Sequence, residues 1–375
     1  MTIRDVLVVG GGAAGATAAF HLAKSGKNVC LLEKSNTINP KTCAGGISAS
    51  IQKWFPFSID SAVEKTISKV KFSWRLEDHV VAELPNTNSF WIVKRENLDS
   101  LIITKAIEEG TEFIQSFCVS EIKRINDYWV VFSQTGERIK SKIIIIADGS
   151  NSPWPYKFNL GPKRHHNAFT TSIRLQGNGS IEEDIARFEF GLVPKGFAWA
   201  FPVKGAVNVG IGTFIGKDIN DPNLILNQLL PDIGFDPRDR HPERSLLRVW
   251  NGHSRLDGDS LLVVGDAASL CDPFLAEGLR PAIMSGYEAA ISINKFLEGH
   301  EKDLACYTNS IRKKWGNSMV WGKRIAQVFY RFPKTGYQLG IKRPTVPKRI
   351  AQILSGEMGY EDIAHRAIKR LLLKA

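Results

Sequence analysis

Gly10-Gly11-Gly12-Ala13-Ala14-Gly15 sets three glycines at the spacing G-x-G-x-x-G, directly after the apolar run Val6-Leu7-Val8-Val9 and before a helical pattern that reaches Lys24. Between a strand and a helix this spacing builds a phosphate cradle. Gly10 permits the tight turn, Gly12 lets backbone approach a diphosphate, and Gly15 allows the helix to pack closely on the strand. The helix start, with Ala13 and Ala14 in its first turn, then presents unpaired N–H groups and the positive end of its dipole. Glu33 ends the next strand 18 residues after Gly15, where a carboxylate can accept both hydroxyls of an adenosine ribose and would repel a 2′-phosphate. The pattern predicts FAD or NAD rather than NADP. Only one such fingerprint occurs, so no second nicotinamide domain is expected and an electron donor has to dock transiently.

The elements that must position these groups follow from the hydrophobic pattern. Strand, turn and helix over Val6 to Lys24 lead to a second strand at Asn28 to Glu33, a β-α-β opening. Extended segments around Val70 to Leu84 and Ser89 to Val93 precede a helical stretch, Glu96 to Glu108. Two strands follow between Glu121 and Lys140, then a buried strand at Ile143 to Ala147. Asn167 to Thr213 reads as mostly strand. The apolar run Leu261 to Val264 enters Gly265-Asp266 ahead of a long helix from about Pro281 to Leu297. Beyond it the chain reads as helical, broken at Pro333, Pro344 and Pro347.

Three further segments carry a resemblance. Arg95 in Val93-Lys94-Arg95-Glu96-Asn97-Leu98-Asp99, Asp148-Gly149 after one buried strand, and Gly265-Asp266-Ala267-Ala268 after another resemble, in order and spacing, the signatures of the p-hydroxybenzoate-hydroxylase-like flavoproteins. That resemblance selects FAD over NAD. It implies that Asp266 holds the ribityl or pyrophosphate region and that Asp148 and Gly149 contribute to the dinucleotide site. Arg95 is expected near the phosphates, or else in a surface salt bridge. Pro273, Glu277-Gly278-Leu279 and the helix from Pro281 continue the same resemblance, with Gly278 letting backbone approach the flavin and the helix start facing its pyrimidine edge. Lys34 and Val119 complete the residues expected around the cofactor. Arg280 either sets a charge near the flavin O2 edge or faces a neighbouring carboxylate.

Two segments resemble the geranylgeranyl reductases in particular. Pro40-Lys41-Thr42-Cys43-Ala44-Gly45-Gly46-Ile47 is similar to that family's Lys-x-Cys-Gly-Gly-Gly segment, which implies that Cys43, Ala44 and Gly45 lie beside the flavin. Phe197-Ala198-Trp199-Ala200-Phe201-Pro202 with Asn208-Val209-Gly210-x-Gly212 is similar to its Tyr-x-Trp-x-Phe-Pro and Asn-Val-Gly-x-Gly elements. With Ala276-Glu277-Gly278-Leu279 and Ser285-Gly286, the resemblance covers residues 1–300. Ala44 and Ala276 depart from the pattern by replacing Gly. Phe197 departs by replacing Tyr, which removes a phenolic proton donor.

The resemblance implies an FAD-dependent oxidoreductase that saturates C=C bonds of a geranylgeranyl or other isoprenoid chain, carried by a diphosphate, chlorophyll, lipid or quinone, with NADPH or ferredoxin as external donor. An isolated alkene is a poor hydride acceptor, so such chemistry needs a proton source. A thiol, with an ordinary pKa of about 8.5, can be one. Cys43 is the candidate, directly or through a water; the alternative is a small buried residue in a tight loop. Phe197, Trp199 and Phe201 alternate and so project to one face of a strand. They either wall an apolar pocket whose π-faces stabilise positive charge by about 0.5–2 kcal/mol or serve as ordinary core. Two other functions remain open: an aromatic-ring monooxygenase, and a non-catalytic flavin and prenyl-lipid-binding accessory protein.

The expected architecture is α/β and α+β. A Rossmann-type FAD-binding domain takes residues 1–75, 94–155 and 250–300. An interleaved, mostly antiparallel β-sheet substrate domain takes 76–93 and 156–249, and a basic helical C-terminal region takes 301–375. The net charge of +11 sits wholly in that last region, which has sixteen Lys and Arg against five Asp and Glu. Such a region suits an anionic membrane surface or an acidic partner, or forms a solvated face over docking residues. A nucleic-acid partner is not expected. The five cysteines are odd in number and unpaired in spacing, which points to a reducing compartment and argues against a zinc site. The apolar strand beginning at Val6 leaves no room for a signal peptide, and no run approaches the roughly 20 apolar residues of a membrane span. A cytoplasmic protein, with at most peripheral contact on the cytoplasmic membrane face, is the expectation.

Overall fold

The computed structural model of the chain describes residues 2–37, 43–85, 89–215, 219–238, 242–343 and 345–365. Strand β1 (Ile3–Val9), helix α1 (Ala13–Lys24) and strand β2 (Val29–Leu32) form the opening unit. The two strands pair in parallel, Val6 to Val9 opposite Val29 to Leu32, and all of these side chains are buried. Burial on both faces is why the segments read as continuous apolar runs and not as alternation. Strand Arg138–Ile146 pairs in parallel with the other edge of β1, and Leu261–Val263 pairs with it in turn. These strands belong to an eight-stranded sheet that also carries the antiparallel hairpin Val119–Ile125 and Tyr128–Ser133. Helix Leu279–Leu297 lies against α1 so closely that a Cβ at Gly286 would stand 2.2 Å from the Ala14 carbonyl oxygen. Both helices therefore begin at one end of the parallel strands, where open α/β sheets bind ligands.

A second sheet of seven strands is antiparallel except where Ile185–Phe190 runs parallel to Lys69–Trp74. The chain thus enters this sheet at Lys69, ahead of the boundary expected at residue 75. Pairing with a strand more than a hundred residues downstream leaves no trace in local periodicity. Phe90–Val93, assigned from sequence to the substrate domain, pairs instead with Gly46–Ser48 and Val63–Ile67 in a separate three-stranded sheet. Within the seven-stranded sheet the buried rings of Phe188 and Phe190 meet Phe197 edge to face at 5.5 and 5.7 Å, and Phe201 meets Phe90 of the three-stranded sheet at 6.5 Å.

The basic C-terminal region is docked on the body and is not a loose tail. Helices Ala305–Ile311, Asn317–Arg331, Pro333–Gly336 and Val346–Leu354 are joined by π-helical segments at Arg312–Gly316 and Tyr337–Ile341. Three buried side chains bond its helices to core backbone. Tyr307 donates to the Val263 carbonyl at 2.8 Å, Trp315 to Leu270 at 2.9 Å and Tyr330 to Phe274 at 2.9 Å. The helical run is interrupted ahead of Pro333 and Pro347, as expected, and each proline sits in the first turn of the helix that follows, where its missing N–H costs nothing. Pro344 and residues 366–375 lie outside the described residues. No helix among the described residues is long and apolar enough to cross a membrane.

Candidate functional site

The turn between β1 and α1 is shaped as an anion cradle. Gly12 caps α1 in an extended conformation, and no side chain caps the helix and no acidic residue enters its first turn. Its leading N–H groups are therefore left to an anion. Gly10 has φ +108°, and a Cβ there would stand 2.5 Å from the Ala147 carbonyl oxygen. The Glu33 carboxylate folds back on the same turn, accepting the Gly11 N–H at 2.9 Å and the Ser35 N–H at 3.2 Å. Each oxygen retains a lone pair for a ribose hydroxyl.

From this cradle a cleft of about 560 Å³ runs past Ala13, Ala14 and Lys34, across Cys43 to Gly46, and on to Asp148, Gly149 and Asp266. Ala276, Gly278 and Leu279 close one end. Burial pushes the Asp148 carboxyl up to about 6, and its Oδ1 is buried with no hydrogen-bond partner among the described residues. An acceptor in that state matches a ligand hydroxyl. Helix Leu279–Leu297 starts at Gly278 with no side-chain cap and no acid in its first turn, so a second helix N-terminus faces the cleft. Two uncapped helix starts, an orphaned carboxylate oxygen and the Glu33 hook fit an FAD molecule, whose diphosphate, hydroxyls and electron-rich ring edge need those partners.

The other wall is aromatic. Phe197, Trp199 and Phe201 line the cleft together with Phe90, Phe188 and Phe214, and all six are at most 5% exposed. Phe197 stands 4.8 Å from Phe214 and Phe188 stands 5.1 Å from Phe201, ring centre to ring centre. Phe188 and Phe214 went unnoticed in the sequence, although their strand neighbours show the same aromatic enrichment. Trp199 donates its indole N–H to Asn208 Oδ1 at 3.0 Å, and Asn208 Nδ2 donates to the Cys43 carbonyl at 3.0 Å. The aromatic strand is thereby fastened to the Cys43 segment.

Cys43 Sγ accepts the Gly45 N–H at 3.3 Å. Arg95 lies beside it, largely buried, and pairs with Asp99 at 2.8 Å. Burial works against the Arg95 charge, but the Asp99 carboxylate and the Cys43 sulfur more than offset it and raise its pKa. The expectation for Arg95 thus changes: it lines the cleft, but its partners are a buried carboxylate and the thiol, not a surface salt bridge. Arg280 faces a carboxylate, donating to Glu277 at 2.6 Å. Burial pushes Glu277 up to about 7 against the pull of Arg280.

Of the expected cofactor residues, Gly10, Gly15 and Glu33 shape the cradle without lining the cleft, and neither Val119 nor Pro273 lines it. Val119 opens the strand Val119–Ile125 opposite Ser133, at a register shift in the hairpin, and does not line the cleft. Pro273 is buried in the turn that Asp272 caps, its carboxylate accepting the Phe274 and Leu275 N–H groups at 2.7 and 3.0 Å. Pro273 therefore shapes the loop ahead of Gly278. Pro40, Lys41 and Thr42 lie outside the described residues. Leu354, at the end of helix Val346–Leu354, also lines the cleft, and nothing in the sequence signalled it.

A dinucleotide cradle on a parallel sheet, opening into an aromatic cleft under an antiparallel sheet, defines an FAD-dependent oxidoreductase. A family model described as FAD binding domain matches residues 5–85. Digeranylgeranylglycerophospholipid reductase 2 of Methanothermobacter thermautotrophicus is 28% identical over 332 residues, covering 84% of this chain and 85% of that protein. A geranylgeranyl bacteriochlorophyll reductase-like protein of Thermoplasma acidophilum has the same fold, with a TM-score of 0.79 at 21% identity over 95% of this chain and 92% of that one. A flavin-dependent brominase shares it at a TM-score of 0.74 and 18% identity, each chain covered in full. In sequence and in fold the chain is thus similar to geranylgeranyl reductase-like flavoproteins.

Proposed function

We propose that this protein saturates C=C bonds of an isoprenoid chain carried by a lipid. The supporting observation is a single cleft that joins the Gly12 cradle to a wall of six buried aromatic rings. Gly12, Ala13 and Ala14 would hold the FAD diphosphate, Glu33 the adenosine ribose, Asp148 and Asp266 the hydroxyls, and the Gly278 helix start the pyrimidine edge. FAD, bound and reduced, supplies the hydride equivalent. The protein's own groups supply the rest. An isolated alkene accepts hydride poorly, so one carbon must take a proton as the other is reduced. Phe197, Trp199 and Phe201 bury the chain, exclude water and turn π-faces toward the developing positive charge, worth about 0.5–2 kcal/mol. With Phe197 in place of a tyrosine, no phenol at that position can donate. Cys43 takes the role, directly or through a water, its sulfur fixed by the Gly45 N–H and Arg95.

The relative named above favours a geranylgeranylated glycerophospholipid over a diphosphate, chlorophyll or quinone. Such a substrate resides in a membrane, so the protein works peripherally at its cytoplasmic face, with NADPH or ferredoxin docking transiently as donor. The test is to incubate the reduced holoprotein with that lipid and follow its mass. Successive gains of two hydrogens are expected. An unchanged lipid mass, with oxygen uptake stoichiometric with a phenol instead, overturns the proposal in favour of a monooxygenase.

A further inference from the structure

The C-terminal region presents an exposed apolar strip set in unneutralised positive charge. Val328, Phe332 and Leu339 are 67%, 58% and 61% exposed. Phe332 donates its N–H to the Val328 carbonyl at 3.2 Å and accepts from the Gly336 N–H at 2.8 Å. These bonds flank a bend at Phe332, whose φ −129° and ψ 63° are not helical, so the three exposed side chains follow one another along the outer surface of a bent helical segment. Single exposed apolar residues need no explanation, but a succession of them containing a phenylalanine does.

The surroundings favour one occupant. From residue 304 to residue 356 the sequence holds no Asp or Glu. Arg324, Arg331, Lys334 and Arg343 are exposed, and none forms an ion pair among the described residues; Arg331 lies over the Phe332 ring at 5.7 Å. Apolar side chains ringed by unpaired cations match the interfacial layer of an anionic bilayer, which takes up the rings and attracts the charges.

The strip is also rigidly held above the cleft. On the inner side of the same helix, Phe329 meets Phe190 edge to face at 5.2 Å and Tyr330 lies 6.4 Å from Phe214, ring centre to ring centre. Tyr337, in the next segment, donates to the Phe72 carbonyl at 3.2 Å. One helix, about 10 Å thick, thus separates the strip from the aromatic wall of the cleft. We infer that Val328, Phe332 and Leu339, with Arg331 and Lys334, form the face that seats this protein on an anionic lipid surface. The inference rests on the lipid-reductase reading, since a substrate drawn from a bilayer gives this face its purpose.

The full-length holoprotein is sedimented with vesicles of phosphatidylcholine alone and of phosphatidylcholine with one-third phosphatidylglycerol. Neither lipid carries a prenyl chain, so the result is independent of any turnover, which is read separately on detergent-dispersed substrate. Binding is expected to the anionic vesicles only, and to be lost near about 0.5 M salt, where the Debye length shrinks to a few ångströms. Arg331→Glu/Lys334→Glu should weaken binding by about thirtyfold or more, since each basic residue contributes roughly fivefold. Phe332→Ser/Leu339→Ser should weaken it several-fold with flavin content unchanged. Arg138→Glu/Lys204→Glu, an equal charge change elsewhere on the surface, should retain most of it. Failure of the wild type to bind anionic vesicles overturns the inference. So does equal weakening by the two charge variants, or an apolar variant that instead converts a dimer to a monomer, which would make the strip a contact between copies.

Discussion

The phenol of Tyr360 donates to the buried Asp272 carboxylate at 2.8 Å, across 88 positions of sequence. Asp272 also caps the loop that leads to Gly278, so the end of the described chain fixes a loop at the cleft. Tyr360→Phe leaves a buried acceptor without its partner, at a cost of about 1–3 kcal/mol. Urea unfolding of the variant should show a lower midpoint with an unchanged slope. An unaltered midpoint would remove Tyr360 from this role.

Ala276, one of the two departures from glycine, adopts φ +57°. A Cβ in the left-handed region costs about 1–2 kcal/mol, while glycine loses roughly 0.4–1 kcal/mol through the greater freedom of the unfolded chain. Ala276→Gly should therefore stabilise the protein by a few tenths to about 1 kcal/mol. A destabilised variant would show that the methyl group packs usefully. Ala44, the other departure, is not in that region and should show no gain.

Gly210 lies directly opposite Trp199 in the sheet, and a Cβ there would stand 2.1 Å from the indole. Gly210→Ala must push the ring aside and break its bond to Asn208. Alkene saturation should fall by tenfold or more, about 1.4 kcal/mol in barrier, with the flavin spectrum retained. Wild-type turnover would show that the cleft does not depend on that ring.

Cys43→Ala should keep its flavin and lose alkene saturation by roughly two orders of magnitude, the usual size of a general-acid contribution. Rapid-mixing of the reduced variant with substrate reads this step. Full-speed reoxidation by the alkene would pass the acid role to another group.

Glu277 is raised by burial to about 7 and Asp148 to about 6. The folded protein then binds more protons than the unfolded chain, so the stability tied to these groups is complete below their unfolded values of 4.5 and 3.8 and is lost as pH rises to about 7 and about 6. The slope is at most about 1.4 kcal/mol per pH unit for each group. His21, lowered to about 4 by burial, acts in the opposite sense below its unfolded value of 6.5. The informative quantity is the difference between the wild type and Glu277→Gln in apoprotein form, between about pH 4.5 and 7. Stability should fall more steeply with pH in the wild type, and parallel curves would contradict the raised Glu277.

The cradle was legible because its constraints are local: glycine spacing, a strand before, a helix after and an acid at the next strand end. Phe197, Trp199 and Phe201 were legible through the resemblance carried by their segment and through the alternation that sets them on one face. Asn208 stood in a quoted motif, yet its bridge from Trp199 to Cys43 depends on two chain segments meeting, which no local pattern encodes. The basic region left two readings open for a physical reason: a helix docked on a protein core and one laid on a membrane share the same amphipathic pattern, and the buried bonds of Tyr307, Trp315 and Tyr330 show that its inner face is docked.

The cleft takes one boundary from Gly12 and another from Leu354, positions near opposite ends of the described chain. During synthesis the first could fold while the second was still untranslated. A nascent polypeptide thus cannot complete the enclosure of this cleft until the ribosome has passed position 354.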